Sequence, residues 1–314
     1  MCAVFGYLDY KGKVSNAILK NLIQNLSIAA EVRGTDATGI SYVNHEKVVT
    51  FKKAKPAHKV KLYFPKNTRA VIGHTRMTTQ GSEKYNHNNH PFDGRCGTET
   101  FALAHNGVLY NDAELKTKYH LPKTQIETDS YVAVQLLEQE KQLHTESIKK
   151  MAGLIEGSFV FTILRNDNTL FLVKGNNPLT IYHFSKLGIY VYASTKSILD
   201  NALQQVNLSD KCCEIDVSEG EIVEIAANGK RSKTTFAMQN YTYSVFSPYN
   251  RYETEEQEEC LLECCQMFGV PEEDVYLLLD YGFSADEIEE MLMNPCLLED
   301  ALAEINVLEQ EDAE

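Results

Sequence analysis

The stretch Cys2-Ala3-Val4-Phe5-Gly6, directly after the first methionine, is the most informative part of the sequence. A small residue at position 2 usually permits removal of the initiator methionine, so the mature chain is expected to begin at Cys2. A terminal cysteine offers a thiol nucleophile together with a free α-amine. The amine has an ordinary pKa of roughly 7.7–8.0 and can act as a base near neutrality. The pair forms a self-contained catalytic unit, although a cysteine at this position can also be incidental.

Five further motifs follow this stretch along the chain. They are Arg33-Gly34-Thr35-Asp36-Ala37-Thr38-Gly39-Ile40, Gly73-His74-Thr75-Arg76-Met77-Thr78-Thr79-Gln80-Gly81, Asn89-His90-Pro91-Phe92, Ala104-His105-Asn106-Gly107 and Glu127-Thr128-Asp129. In this order, the six motifs resemble the class II glutamine amidotransferases, which are N-terminal-nucleophile hydrolases. The resemblance covers about residues 2–240 and is strongest to the glutaminase domains of glutamine–fructose-6-phosphate aminotransferase and amidophosphoribosyltransferase. It implies an α+β fold, a four-layer αββα sandwich of two antiparallel sheets between helical layers.

The resemblance implies that Asn106 and Gly107 form an oxyanion hole. Cleavage of the glutamine carboxamide passes through a tetrahedral intermediate with a negatively charged oxygen. A side-chain amide and a backbone N–H at the end of a strand could both donate to that oxygen, each contributing on the order of 2.7–4 kcal/mol to the barrier. Taken alone, Asn-Gly is also typical of a type I′ hairpin turn.

Four residues match family positions that bind the substrate. Arg76 matches the arginine that binds the α-carboxylate, where a planar guanidinium can make two parallel hydrogen bonds. Asp129 matches the aspartate that binds the α-ammonium, and Thr79 and His90 match positions lining the same pocket. The structural alternatives are a surface ion pair for Arg76, a helix cap for Asp129 and a loop-bracing role for His90.

Two residues match supporting positions, and two depart from the family. Arg33 is interpreted as supporting the loop of the nucleophile and Asp36 as structural. Met77 stands where an aromatic residue is common, and Gln80 stands where histidine is common. Both positions shape the loop that closes over glutamine, so they affect substrate affinity more than the chemistry.

The mechanism that the resemblance implies begins with attack of Cys2 on the side-chain amide carbon of glutamine, assisted by its own α-amine. Ammonia leaves, a γ-glutamyl thioester remains on Cys2, and water then releases glutamate. No cofactor is expected. No metal site is expected either, because neither the His87–His90 pair nor the Cys260–Cys264 pair has a complete set of ligands nearby.

The remaining pattern predicts many short strands with few helices, which favours antiparallel sheets. Ala3–Leu8 predicts a strand, and Ser15 precedes a helix with Leu22 and Leu26 on one face. Residues 78–97 are polar and predict a long functional loop. Phe101–His105 predicts a strand that ends at Asn106-Gly107.

Charge divides the 314-residue chain into two parts. Residues 251–314 contain 21 acidic residues and one basic residue, whereas residues 1–250 contain 29 basic and 23 acidic residues. The sequence therefore predicts a glutaminase domain over 1–247 and a small acidic C-terminal helical module over 253–314. Helix starts are predicted at Pro271 and Ser284, and the Tyr281–Ser284 motif weakly resembles three-helix ubiquitin-associated domains.

The composition limits the partners and the compartment. Hydrophobic residues make up 43% and charged residues 24%, which excludes wholesale disorder. No apolar run of membrane-spanning length and no secretory signal appear, and eight cysteines are too few for a disulfide scaffold. The chain is expected to be cytoplasmic, with no membrane or nucleic-acid partner.

The resemblance implies that L-glutamine is the substrate. The tail is too short and too acidic to be a synthase domain, so a separate synthase, bound through residues 253–314, is the expected partner. Two alternatives remain at this point, a free-standing amidohydrolase and a non-catalytic interaction protein that binds through its acidic tail.

Overall fold

The computed structural model describes residues 2–206, 208 and 210–239. In the tail it describes residues 261–262, 265–266, 268–281, 288, 291–292, 298, 301–303 and 305. The chain divides into two compact units, residues 1–241 and 242–314. The expected boundary between residues 247 and 253, the cysteines at 260, 264 and 296, and the helix start at Ser284 lie outside the described residues.

The described part of the first unit contains thirteen strands, five α-helices and three short 3-10 helices. The strands are β1 Ala3–Asp9, β2 Ala37–Asn44, β3 Lys47–Lys53, β4 Ala70–Arg76, β5 Phe92–Cys96, β6 Glu99–Leu109, β7 Gly157–Arg165, β8 Leu170–Lys174, β9 Thr180–Phe184, β10 Ile189–Ala193, β11 Cys213–Ile215, β12 Glu221–Ile225 and β13 Arg231–Thr235. The α-helices are α1 Asn16–Ala29, α2 Asp112–Lys118, α3 Tyr131–Glu138, α4 Thr145–Ala152 and α5 Lys196–Gln204.

The strands form two antiparallel sheets. One has seven strands in the order β11-β9-β10-β1-β4-β2-β3, and the other has six in the order β13-β12-β8-β7-β6-β5. Strand β1 is central, with Phe5 opposite Ala193 of β10 on one side and Gly73 of β4 on the other. In the second sheet, β6 and β7 pair along their length, with Gly107 opposite Phe159.

Three buried clusters define four layers. Residues of α1 and α5, among them Leu22 and Leu199, pack on the outer face of the seven-stranded sheet. Residues of α3 and α4, such as Val132 and Ile148, pack on the outer face of the six-stranded sheet. A third cluster joins the two inner faces, where Tyr192 and its neighbours are fully buried. The structure thus confirms the α+β fold and the αββα arrangement.

The pattern of β1 explains its central place. Side chains alternate between the two faces of a strand, and here both faces are buried. Phe5 and Tyr7 enter the cluster beneath the helices, whereas Val4 and Leu8 enter the cluster between the sheets. A strand covered on both faces appears in the sequence as a continuous apolar run, as Ala3–Leu8 does.

Two expectations about elements require correction. The predicted loop over residues 78–97 contains strand β5, in which Phe92, Gly94 and Cys96 are buried and the intervening residues are exposed. Strand β6 does not end at Asn106-Gly107 but continues to Leu109. The sequence did not predict β5 because its solvated face carries polar residues, which are typical of a loop. It did not predict the end of β6 because glycine weakens a strand pattern.

Two predicted helix starts are confirmed. The Ser15 side chain accepts a hydrogen bond from the Ile18 N–H at the start of α1. In the tail, helix α6 spans Glu272–Asp280 and begins after Pro271, with three acidic residues in its first turn. The tail has its own buried cluster, which includes Leu261, Val275 and Leu278 and five further residues. Among the described residues, no helix is long and apolar enough to cross a membrane.

Candidate active site

Cys2 lies at the beginning of central strand β1, where main-chain contacts hold it on two sides. Its Sγ lies 3.4 Å from both the backbone nitrogen and the carbonyl oxygen of Met77. The Arg33 Nε donates a 2.9 Å hydrogen bond to the Cys2 carbonyl oxygen. The thiol is therefore placed beside the segment that follows β4, and Arg33 contacts the main chain of Cys2.

Burial raises the pKa of the Cys2 thiol above its ordinary value. The Met77 N–H and the positive charge of Arg76 oppose this shift, and the negative charge of Asp129 adds to it. The thiol is consequently protonated at neutral pH. Attack by this sulfur requires a base close to it, because the thiolate and not the thiol is the nucleophile.

Gly34 and Asp36 contact the main chain of the turn after β4. The Asp36 N–H donates to the Arg76 carbonyl at 2.9 Å, and its carboxylate accepts from the Thr78 N–H at 2.7 Å. A Cβ on Gly34 would lie within 2.6 Å of the Arg76 and Met77 backbone. Asp36 therefore connects the segment before β2 to the turn after β4.

Arg76 is buried and is not part of a surface ion pair. Its guanidinium donates to the Asn89 side-chain oxygen at 2.6 Å and to the carbonyls of Gln80 and Gly81 at 2.6 and 2.8 Å. These bonds use both N–H groups of Nη2 and one of Nη1, out of the five that a guanidinium has. The three contacts fix the guanidinium and shape the loop between β4 and β5.

The same loop is attached to the segment before α3 through Asn88. Its side-chain amide exchanges hydrogen bonds with Glu127, donating to the carboxylate at 2.8 Å and accepting from the backbone N–H at 2.9 Å. Thr128 adds a hydrogen bond to the Asn88 carbonyl. The side chains of Met77, Thr79 and Gln80 are all exposed.

Asn106 and Gly107 lie inside strand β6 and do not form a hairpin turn. Gly107 has a φ of +144°, and a Cβ there would meet the Ser158 carbonyl oxygen at 1.8 Å, so only glycine fits. The Asn106 side chain is buried, yet neither its amide nitrogen nor its oxygen has a partner among the described residues. Buried polar atoms are rarely left unpaired, so this amide is available to a ligand.

Asp129 bonds to the end of β6 and does not cap a helix. Its carboxylate accepts a 2.7 Å hydrogen bond from the Leu109 N–H and a longer one from the Ser130 hydroxyl. Helix α3 begins two residues later, at Tyr131. A carboxylate offers about four acceptor sites, so positions remain for an ammonium group.

Three histidines next to the site are buried, namely His74, His90 and His105. Of these, the sequence analysis named only His90 as a site residue. The His74 Nε2 donates to the His105 carbonyl at 2.9 Å and thereby joins β4 to β6, one residue before Asn106. The His90 ring packs 4.3 Å from His74 and 4.4 Å from Phe92, and neither ring nitrogen has a partner among the described residues.

Burial keeps these imidazoles neutral. It lowers the pKa of His74 to about 3, that of His90 well below its ordinary value, and that of His105 in the same direction. His74 and His105 stood inside the quoted motifs, and their places in strand-like runs were the signal that could have identified them as buried.

Lys52 on β3 is a further residue that the sequence did not single out. Its Nζ donates to the Asn89 carbonyl at 2.6 Å and to the Pro91 carbonyl at 3.0 Å. The same nitrogen lies 4.9 Å from the centre of the Phe92 ring. Burial lowers the pKa of Lys52 to about 8, so it carries its charge at neutral pH.

The structure thus gathers the predicted residues at one end of the two sheets. A cleft of about 760 Å³ lies at the opposite end, near the β2–β3 turn and the segment before β4, and no predicted site residue lines it. Within the described parts of the chain, no three His, Cys, Asp or Glu side chains come together in a group suited to a metal ion.

Comparison with known proteins gives concordant matches. Residues 74–201 match the family model of the glutamine amidotransferase domain. The chain is 31% identical over 220 residues to glutamine–fructose-6-phosphate aminotransferase of Bacillus subtilis, covering 67% of this chain and 35% of that enzyme. It is 30% identical over 246 residues to 7-cyano-7-deazaguanine synthase 2 of Sulfurisphaera tokodaii, covering 74% of this chain and 52% of that protein.

Among solved structures, glutamine phosphoribosylpyrophosphate amidotransferase from B. subtilis shares the fold with a TM-score of 0.59 at 22% identity, covering 76% of this chain and 50% of that one. The chain thus spans between about a third and a half of the length of these relatives.

Proposed function

The body of this chain belongs to the class II glutamine amidotransferases, and we propose that it hydrolyses the side-chain amide of glutamine to glutamate and ammonia. The observation that carries the proposal is the position of Cys2. Its thiol lies at the start of the central strand, against Met77, where the charges of Arg76 and Asp129 both influence its pKa. Removal of the preceding methionine would add an α-amine at the same residue.

The reaction uses this arrangement in two steps. The α-amine takes the thiol proton as the sulfur attacks the amide carbon, and the Asn106 side chain with the Gly107 N–H donates to the developing oxyanion. The proton passes to the leaving nitrogen, ammonia departs and a γ-glutamyl thioester remains. Water attacks the thioester, one of its protons returns to the sulfur, and glutamate is released.

Charge at the two ends of the substrate supplies selectivity for free glutamine. An N–H group of Arg76 that the loop does not use donates to the α-carboxylate, and the free acceptor positions of Asp129 bind the α-ammonium. A glutamine within a peptide lacks both charges and leaves these buried groups without partners. Thr79 and His90 line the same pocket in this proposal, and the exposed side chains of Met77 and Gln80 border it.

Glutamate release by the purified chain tests the proposal. We expect Cys2→Ala to abolish release, because it removes the nucleophile, and an electrophilic glutamine analogue to label Cys2 in the wild-type chain only. Intact-mass measurement must show that the active form lacks the first methionine. Full activity of Cys2→Ala, or of a chain that retains the methionine, would contradict the mechanism.

We further propose that the ammonia is used by a separate synthase bound through residues 253–314. Two observations support this proposal. The relatives named above are an aminotransferase and a synthase that extend well beyond the matched region. The acidic tail forms a compact unit with its own buried cluster. The alternative hypothesis of a free-standing amidohydrolase predicts that the isolated chain is highly active and has no synthase partner.

A further inference from the structure

The carbonyl of the peptide group between Asn106 and Gly107 is contacted by a side chain from outside strand β6. The Nδ2 of Asn177 donates a 2.9 Å hydrogen bond to the Asn106 carbonyl oxygen. Asn177 is separated from Asn106 by 71 positions in the sequence and follows strand β8. It belongs to none of the motifs that suggested the site.

Together with the pairing of β6 and β7, this contact fixes where the Gly107 N–H points. The carbonyl of residue 106 and the N–H of residue 107 belong to one planar trans peptide group, in which they point in opposite directions. A donor that fixes the carbonyl on one side therefore fixes the N–H on the other side. A hydrogen bond accepted by the carbonyl also polarises the peptide group and strengthens its N–H as a donor.

Asn177 is itself held by a short network after β8. The Lys174 Nζ, which is buried, donates to the carbonyls of Asn177 and Gly175 at 2.5 and 3.1 Å. The Asn176 side-chain oxygen accepts from the Phe159 N–H at 3.1 Å, and Phe159 is the register partner of Gly107. These contacts fix the turn after β8 internally and attach it to β7, the strand that pairs with Gly107.

The fit between Asn177 and Gly107 is close. A Cβ on Gly107 would lie 2.7 Å from the Asn177 Nδ2, in addition to its clash with Ser158. The absence of a side chain at position 107 is therefore what allows the Asn177 amide to approach the peptide group from this side.

We propose that Asn177 is a positioning residue for the oxyanion hole, which orients the Asn106–Gly107 peptide group through its carbonyl so that the Gly107 N–H faces the reacting oxygen. The proposal rests on the proposed glutaminase function. A preorganised donor contributes to the transition state and little to binding of the substrate, so Asn177 acts on kcat and not on KM.

The test compares Asn177→Leu and Asn177→Asp with wild type. Both remove the donor, and the aspartate keeps the shape of asparagine. We expect kcat to fall by about 10-fold or more, and by less than the roughly 100–1,000-fold that loss of an oxyanion donor costs, with KM for glutamine unchanged. The affinity for glutamate γ-semialdehyde, which forms a tetrahedral adduct with Cys2, should fall in parallel with kcat.

Asn176→Asp is the matched control. It adds the same negative charge one residue away and keeps the oxygen that accepts from Phe159, so we expect kcat close to that of wild type. The rate of Cys2 alkylation and the melting temperature should not change in the Asn177 variants, which separates positioning from loss of structure.

The amide nitrogen chemical shift of Gly107 tests the contact independently of activity. It should move in both Asn177 variants and stay in place in Asn176→Asp. If wild type released no glutamate, the proposed function would be contradicted. The Gly107 chemical shift would then still test the contact between Asn177 and the Asn106 carbonyl. An unchanged Gly107 shift, or an unchanged kcat beside an active wild type, would overturn the inference.

Discussion

Arg76 stabilises its own loop as well as the carboxylate that we assign to it. Its contacts to Asn89, Gln80 and Gly81 need several donors in one plane, which lysine does not have. We expect Arg76→Lys to raise KM for glutamine by about 10–100-fold, because a charge-assisted hydrogen bond contributes roughly 1.5–3 kcal/mol. Steady-state kinetics measure the change, and Arg95→Lys on the exposed side of β5 is the control. A wild-type KM would contradict the assignment of Arg76.

Gly107 is the residue at which a single methyl group has the largest predicted effect. Gly107→Ala would place a Cβ 1.8 Å from the Ser158 carbonyl oxygen in a backbone conformation that L residues rarely adopt. We expect loss of glutamate release and a lower melting temperature. Gly153→Ala is the control, since its nearest contact would be 3.3 Å away. An active, equally stable Gly107→Ala chain would show that the strand can shift.

The buried histidines predict a dependence of stability on pH. Their folded pKa values lie below the ordinary value of about 6.5, so the unfolded chain binds more protons below that pH. The free energy of unfolding therefore falls as the pH decreases from about 6.5 towards 3, by up to about 1.4 kcal/mol per pH unit for each histidine.

His90→Phe tests this dependence because phenylalanine keeps the packing between His74 and Phe92 and cannot take up a proton. Denaturant unfolding between pH 4 and 8 should give a shallower decrease for this variant than for wild type. His87→Phe, on the exposed part of the loop, should retain the wild-type slope. Equal slopes in all three proteins would contradict the assignment of the effect to His90.

The loop between β4 and β5 is the element that connects the supporting contacts to the substrate. Lys52 on β3 holds its end through the carbonyls of Asn89 and Pro91, and Asn89 in turn accepts from Arg76. We expect Lys52→Met to raise KM for glutamine more than it lowers kcat, as measured by steady-state kinetics. Lys53→Met on the exposed side of the strand should leave both unchanged. A change in kcat alone would place Lys52 in another role.

The sequence predicted the helices and strands that have a regular apolar pattern and missed those in which polar and apolar residues are mixed. Strand β1 and helix α1 follow from their patterns, because their burial is continuous or periodic. Helices α2 and α4 were missed, since they are short and bury only a few side chains, such as Leu115 and Ile148. Strand β5 was missed because its polar face resembles a loop.

The site follows the same division. Residues of ordered motifs, such as Cys2 and Asn106, could be placed by resemblance. Lys52, Asn88 and Asn177 act through main-chain groups or through residues 37 or more positions away, and such contacts leave no local pattern in the sequence. Their positions depend on which strands become neighbours, which only the fold determines.

For the molecule as a whole, the division into two units predicts separable functions. The first unit contains all three buried clusters of the sandwich, and the tail contains a fourth. A chain ending at residue 250 should therefore fold and release glutamate at the wild-type rate, and should fail to retain a synthase in a pull-down. Loss of folding or of activity on truncation would contradict a separate docking module.

The central position of β1 also has a consequence for how the chain is made. Cys2 is synthesised before β10, and β1 cannot complete its pairing until β10, near residue 193, has been made. At translation rates of roughly 5–20 residues per second, this delay lasts on the order of ten to forty seconds. The proposed mechanism requires removal of the residue before Cys2, and this interval allows a peptidase to act before the sheet closes around the nucleophile.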